Sequence, residues 1–125
     1  MIKREEIIKN YVNAYNEFDV PGMVAAFHED IVFENVQGGE TNLSLKGIDA
    51  FTQQAESAKS FFSSRRQTIK SVKHHEDETE IEIDYHAVLA VDFPNGLKKG
   101  QELTLQGRSV FTFDGDKIVK LMDIS

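Results

Sequence analysis

Hydrophobic and polar positions change period once along this chain, from a helical spacing in its first half to an alternating one after Ser64. Ile7, Ile8, Tyr11, Val12, Tyr15 and Phe18 stand one, three and four residues apart, the stripe of a helix buried on one side, which predicts a helix over 3–18. Asp19-Val20-Pro21 offers a capping carboxylate followed by a first-turn proline, and Val20, Val24 and Phe27 carry the pattern into a short second helix ending near His28. Ile31 to Val36 is β-branched and aromatic, and Gln37-Gly38-Gly39-Glu40 breaks it, which predicts one short strand and a turn. Beyond Gly47, Ile48, Phe51, Ala55, Ala58 and Phe62 return to intervals of three or four and predict a third helix, with Asp49 where a helix N-terminus favours negative charge.

In the second half, Ile81, Ile83, Tyr85, Ala87, Leu89, Val91 and Phe93 alternate with Glu80, Glu82, Asp84 and His86, predicting a strand over 79–93 with one buried face. A strand over 66–73 precedes it across the charged turn 74–78, and one over 101–113 follows Pro94-Asn95-Gly96. A last strand over 117–124 follows Asp114-Gly115-Asp116. Helices first and antiparallel strands later describe a single α+β domain over 1–125, with three helices gathered on one sheet face. A strand over 79–93 would span about 50 Å at roughly 3.3 Å per residue, whereas a domain of this length has a radius of gyration near ~14 Å. The sheet therefore bends strongly and, with the helices, encloses a concave space. Mid-strand positions facing that space are small or polar: Ala87 beside Tyr85, and Gly107 and Ser109 between Leu105 and Phe111. Two readings follow, a bend packed with phenylalanine or a mostly apolar pocket with a few polar groups.

Composition narrows the chemistry. The 125 residues hold no cysteine, which excludes disulfides, iron–sulfur clusters, thiolate zinc sites and a cysteine nucleophile, and points to a reducing, cytoplasmic home. No secretory core opens the chain and no apolar run approaches about 18 residues. Twenty-one acidic against 14 basic residues, a net charge of −7, disfavour nucleic acid and anionic membranes as partners. Among His28, His74, His75 and His86 no pair stands four apart, and His74-His75 falls in a turn expected to be solvated, so no metal site is expected. Arg65, Arg66, Lys70 and Lys73 read as a solvated or dimer-facing strand, with Thr68, Lys70 and Val72 on one face. No nucleophile elbow or phosphate loop appears.

The order of elements, with Tyr11 to Asp19, Ala26 to Asn35, Gly47 opening the third helix, and the hairpin Phe111 to Val119, resembles the nuclear transport factor 2 and ketosteroid isomerase-like superfamily in its SnoaL-like, polyketide cyclase-like branch. The resemblance covers essentially the whole chain and implies a cystatin-like cone, three helices on a strongly curved antiparallel sheet. In the steroid isomerases a first-helix tyrosine donates to the developing enolate, a first-strand aspartate takes the proton, and a late-strand protonated aspartate donates a second bond. Tyr11 meets the first position, Asn35 occupies the base position, and Ser109 the second donor. An amide is no base near neutral pH, so that mechanism is not retained. Asp123, sharing a face with Val119 and Leu121, is a better base than Asp92; it faces the apolar interior with a raised pKa or lies solvated on the rim. The epoxide-hydrolysing pattern needs an inward arginine, and Arg108 alternates outward.

Two functions are therefore expected from different classes. The first is a cofactor-free domain binding a small apolar or aromatic molecule in the cone, as an isomerase, cyclase or dehydratase working by proton transfer. Tyr11 would be the donor, Asp123 the base, Asn35 the orienter, and Tyr15, Tyr85, Ser109, Phe33, Phe51 and Phe111 the remaining contacts. The second is a non-catalytic dimerisation or ligand-sensing module whose cone is filled by Phe33, Phe51, Phe62 and Phe111. In either case Val88, Ala90, Val110 and Thr112 make the outer sheet face half-apolar, which predicts a homodimer through it.

Overall fold

A computed structural model describes residues 2–125. Three helices, α1 (Ile2–Asn16), α2 (Val20–Val24) and α3 (Ile48–Ala58), pack on a curved, unclosed sheet of six strands. The strands are β1 (Phe27–Gln37), β2 (Glu40–Lys46), β3 (Phe62–His74), β4 (Glu78–Leu89), β5 (Glu102–Asp114) and β6 (Lys117–Ile124), ordered β2-β1-β6-β5-β4-β3. This is the expected cone, with one difference: β6 runs parallel to β1, so the sheet is mixed. Among the described residues no helix is long and apolar enough to cross a membrane.

The apolar stripe of α1 forms the core with the concave sheet face. Ile8, Tyr11 and Val12 pack with Ile81, Phe111, Ile118 and Leu121, all buried. The helix ends in a Schellman motif, Asp19 N–H donating to Ala14 C=O (2.8 Å) and Phe18 N–H to Tyr15 C=O (3.2 Å). The left-handed position of that motif, usually glycine, is held by Phe18 at φ 60°. Asp19 then caps α2, its carboxylate accepting from Gly22 N–H at 3.1 Å.

Several element boundaries differ from expectation. The second helix stops at Val24, and Phe27, which fits its spacing, opens β1 instead, buried in the core. The expected turn after β1 is only Gly38-Gly39, both at positive φ, and a second strand, β2, follows it. The alternation of Leu43 and Leu45 carries the signal for β2. The long strand ends at Leu89, so Val91 and Phe93 lie in the following loop, where Phe93 meets Phe61 edge-on. A register shift between Ile69 and Ser71 turns Val72 toward the core, opposite Ile81, and away from the face of Lys70. Gly107 earns its place by close approach: a Cβ there would lie 2.8 Å from the Ile124 carbonyl oxygen at the end of β6.

Candidate functional site

The parallel β1–β6 pair and the antiparallel β5–β6 pair place Asn35, Asp123 and Ser109 side by side across three strands. The Ser109 hydroxyl, itself buried, donates to Asp123 Oδ1 at 2.7 Å. Asp123 is half-buried and lines a cavity. Burial pushes its pKa from the ordinary 3.8 to about 6, with the Ser109 bond pulling the other way. Asn35 Nδ2 donates to Asn42 Oδ1 (2.8 Å), whose own amide donates to Gln37 Oε1 (2.9 Å), a short polar chain linking β1 and β2.

The cavity that Asp123 lines holds about 200 Å³ and opens between α1, α3 and the β1–β2 hairpin. Its wall is mostly apolar, with Phe33, Phe51, Leu43 and Leu45 prominent, and its polar groups are few: Tyr11, Tyr15, Asn35, Gln54, Arg65 and Asp123. Tyr11 stacks on Phe27 (centroids 5.8 Å apart) and meets Phe111 edge-on (5.6 Å). Its pKa is raised by burial first and by the Asp123 charge second, with the Arg65 charge pulling the other way. A neutral phenol of this kind is a hydrogen-bond donor throughout the physiological range.

Of the residues singled out from the sequence, Tyr11, Tyr15, Asn35, Phe33, Phe51, Phe62 and Asp123 line this cavity. Phe111, Ser109 and Tyr85 are not among its lining residues: Phe111 is fully buried against Tyr11, Ser109 is bonded to Asp123, and Tyr85 bonds the Tyr15 hydroxyl at 2.9 Å. Arg65 is the residue that sequence reasoning placed on the surface and the structure places inside. It is 5% exposed, its Nε donates to the Tyr15 carbonyl (2.9 Å), and its guanidinium packs over the rings of Tyr15 (3.8 Å) and Phe18 (4.4 Å). The available signal was alternation, since Arg65 shares its strand face with the buried Gln67 and faces Ala87, whose small side chain leaves it room.

His74 is also tied down, through Thr79 Oγ1 (2.9 Å) and Glu5 Oε1 (3.1 Å), rather than lying solvated in the β3–β4 turn. Among the described residues no three histidine, aspartate or glutamate side chains converge as a metal site. The outer sheet face carries cross-strand ion pairs, Arg108 with Glu80 (3.0 Å), Lys120 with Glu34 (3.2 Å) and Lys70 with Asp84 (3.5 Å), among half-buried Val88 and Val110.

The profile of the SnoaL-like domain family matches residues 8–121. The chain belongs to that family. Solved structures share its fold at low identity. A candidate hydroxylase from Streptomyces galilaeus, AclR, is 21% identical with TM-score 0.78, covering 98% of this chain and 88% of its own. A candidate polyketide cyclase from Xanthomonas campestris is 18% identical with TM-score 0.79 over 98% and 90%. TerC, co-crystallised with polyporic acid, is 15% identical with TM-score 0.77 over 98% and 90%. No curated protein matches the chain. In this SnoaL-like domain the site's chemistry must therefore be argued from its own residues.

Proposed function

We propose that this SnoaL-like domain binds a small, largely apolar molecule of about one ring in the cavity and catalyses proton transfer on it without a cofactor. The observation that carries the reading is Asp123, a half-buried residue of the cavity wall whose carboxyl pKa of about 6 suits a base or acid near neutral pH. Tyr11 would donate to a carbonyl oxygen as charge develops on it, and Asn35 would orient the ligand. TerC, with a small molecule co-crystallised in the same fold, lends support to the binding half of the proposal. The size limit follows from volume. About 200 Å³ is below the ordinary range of roughly 300 Å³ and more for drug-sized ligands, while a cavity of about 150 Å³ admits benzene.

The test is deuterium exchange at the carbon next to the carbonyl of one-ring ketones, followed by proton NMR. Exchange should rise with pH through about 6 and level off above it, since the base is the ionised carboxylate. Asp123→Asn should lower it about 100-fold or more. Exchange indifferent to that substitution sinks the catalytic claim. The packing of Tyr11 on Phe27 and Phe111, with Phe27 in turn against Phe51, supports the second reading, a binding or sensing module without chemistry. Binding of a ring compound without exchange decides for it. Association of two copies through the outer sheet face, with Val88 and Val110 at its apolar part, is proposed with either reading; a monomer mass by light scattering at micromolar concentration removes it.

A further inference from the structure

The cavity wall contains a buried cation with no counter-charge. Arg65 is 95% removed from solvent, yet none of the carboxylates that form ion pairs among the described residues is its partner. One of its three guanidinium nitrogens, Nε, is engaged by the Tyr15 carbonyl, while Nη2 is buried with no hydrogen-bond partner among the described residues. Asp123, the one carboxyl in the same wall, forms no ion pair with it among the described residues. Leaving a charge and a donor unsatisfied inside a protein is costly, so such a group signals a missing partner.

The setting of Arg65 is built and not incidental. Tyr15 and Phe18 pack over the guanidinium, and Phe18 does so from a left-handed conformation that a bulky side chain rarely adopts. With aromatic rings over its plane, Nε on the Tyr15 carbonyl and Nη2 sealed off, Nη1 is the nitrogen left to meet a ligand. A cation without a counter-charge favours an anionic oxygen there over a neutral acceptor.

We infer that the ligand of this cavity is a small one-ring carboxylic acid, its carboxylate held by Arg65 Nη1 and its ring among Phe33, Phe51, Leu43 and Leu45. The inference rests on the proposed binding function and names its substrate class. Arg65 then anchors one end of the ligand, and Asp123 with Tyr11 meets the other.

The experiment titrates the purified protein with benzoate and with benzamide, its neutral analogue of nearly equal size, following affinity by calorimetry and the Arg65 guanidinium nitrogens by ¹⁵N NMR. Benzoate should bind at least tenfold more tightly than benzamide and shift the Arg65 signals, which a purely structural arginine would not show. Arg65→Gln, with folding checked by circular dichroism, should erase the preference, and Arg65→Lys should retain part of it. Should Arg65→Gln fail to fold, the preference and the signal shift in the natural protein decide alone. Equal binding of the two probes, or a preference that survives in folded Arg65→Gln, overturns the inference while leaving a ligand cavity. Binding of neither at millimolar concentration overturns the inference, while the proposed function stands or falls on the ketone exchange and its dependence on Asp123.

Discussion

A carboxyl half-buried beside an apolar cavity is harder to ionise than one in water, and for Asp123 the consequence has a definite sign. Its folded pKa, about 6, lies above the ordinary 3.8. The folded state therefore binds its proton more tightly than the unfolded state does. The stabilisation this provides is complete below about pH 4 and is lost as pH rises through about 6. At about 1.4 kcal/mol per tenfold, the loss amounts to roughly 3 kcal/mol. Asp123→Asn, which keeps an oxygen to accept from Ser109, should remove that slope; urea titrations of both proteins at pH 4.5 and 8 measure the difference, and parallel profiles would mean that the carboxyl ionises as if in water. Asp123 could be singled out because strand alternation sets it beside Leu121. Arg65 was lost among neighbouring basic residues, because local charge density says nothing of which strand face a side chain takes. The alternation with Gln67 and the small residue across the strand pair were the better guides.

At the scale of elements, the C-terminal end of α1 is fastened to β3 by side chains as much as by packing. Asn16 both accepts from Gln67 N–H (2.7 Å) and donates to Gln67 C=O (3.1 Å), while Arg65 holds the Tyr15 carbonyl. Asn16→Ala would strand a buried backbone donor and acceptor, with an expected loss of about 1–3 kcal/mol in denaturant unfolding. Long periodic elements were legible: α1, α3 and β6 fall close to where spacing puts them. Spacing extends the short second helix too far because Phe27 satisfies helical periodicity while belonging to a strand. Alternation likewise continues in Val91 and Phe93 although strand pairing ends at Leu89. A seven-residue edge element with two leucines gives little signal beside a glycine turn, so β2 is hard to read from sequence. Leu43 and Leu45 depend on β2 to reach the cavity and are equally hard to foresee.

At the scale of the molecule, the cavity and the stability of the fold are separable. Ala58 lines the cavity half-buried on α3, and Ala58→Leu adds three carbons to a space of about 200 Å³. Its melting temperature should stay within a few degrees of the natural protein's, since a void is filled rather than a packed core strained. Ligand binding should fall at least tenfold, as read by calorimetry with benzoate. The sheet order makes a different demand. The strand β6 lies between β1 and β5 and is the only bridge between β1–β2 on one side and β3–β5 on the other. Contacts such as Asn35 with Asp123 join residues far apart in sequence, so this bridge forms late and its loss divides the sheet. Amide hydrogens of β6 should then exchange only through global unfolding and rank among the slowest in the molecule. A ligand gripping Asp123 acts as a rivet across that seam. Whatever affinity it has will be read out not in the loops at the cavity mouth but in the rate at which the two halves of the sheet come apart.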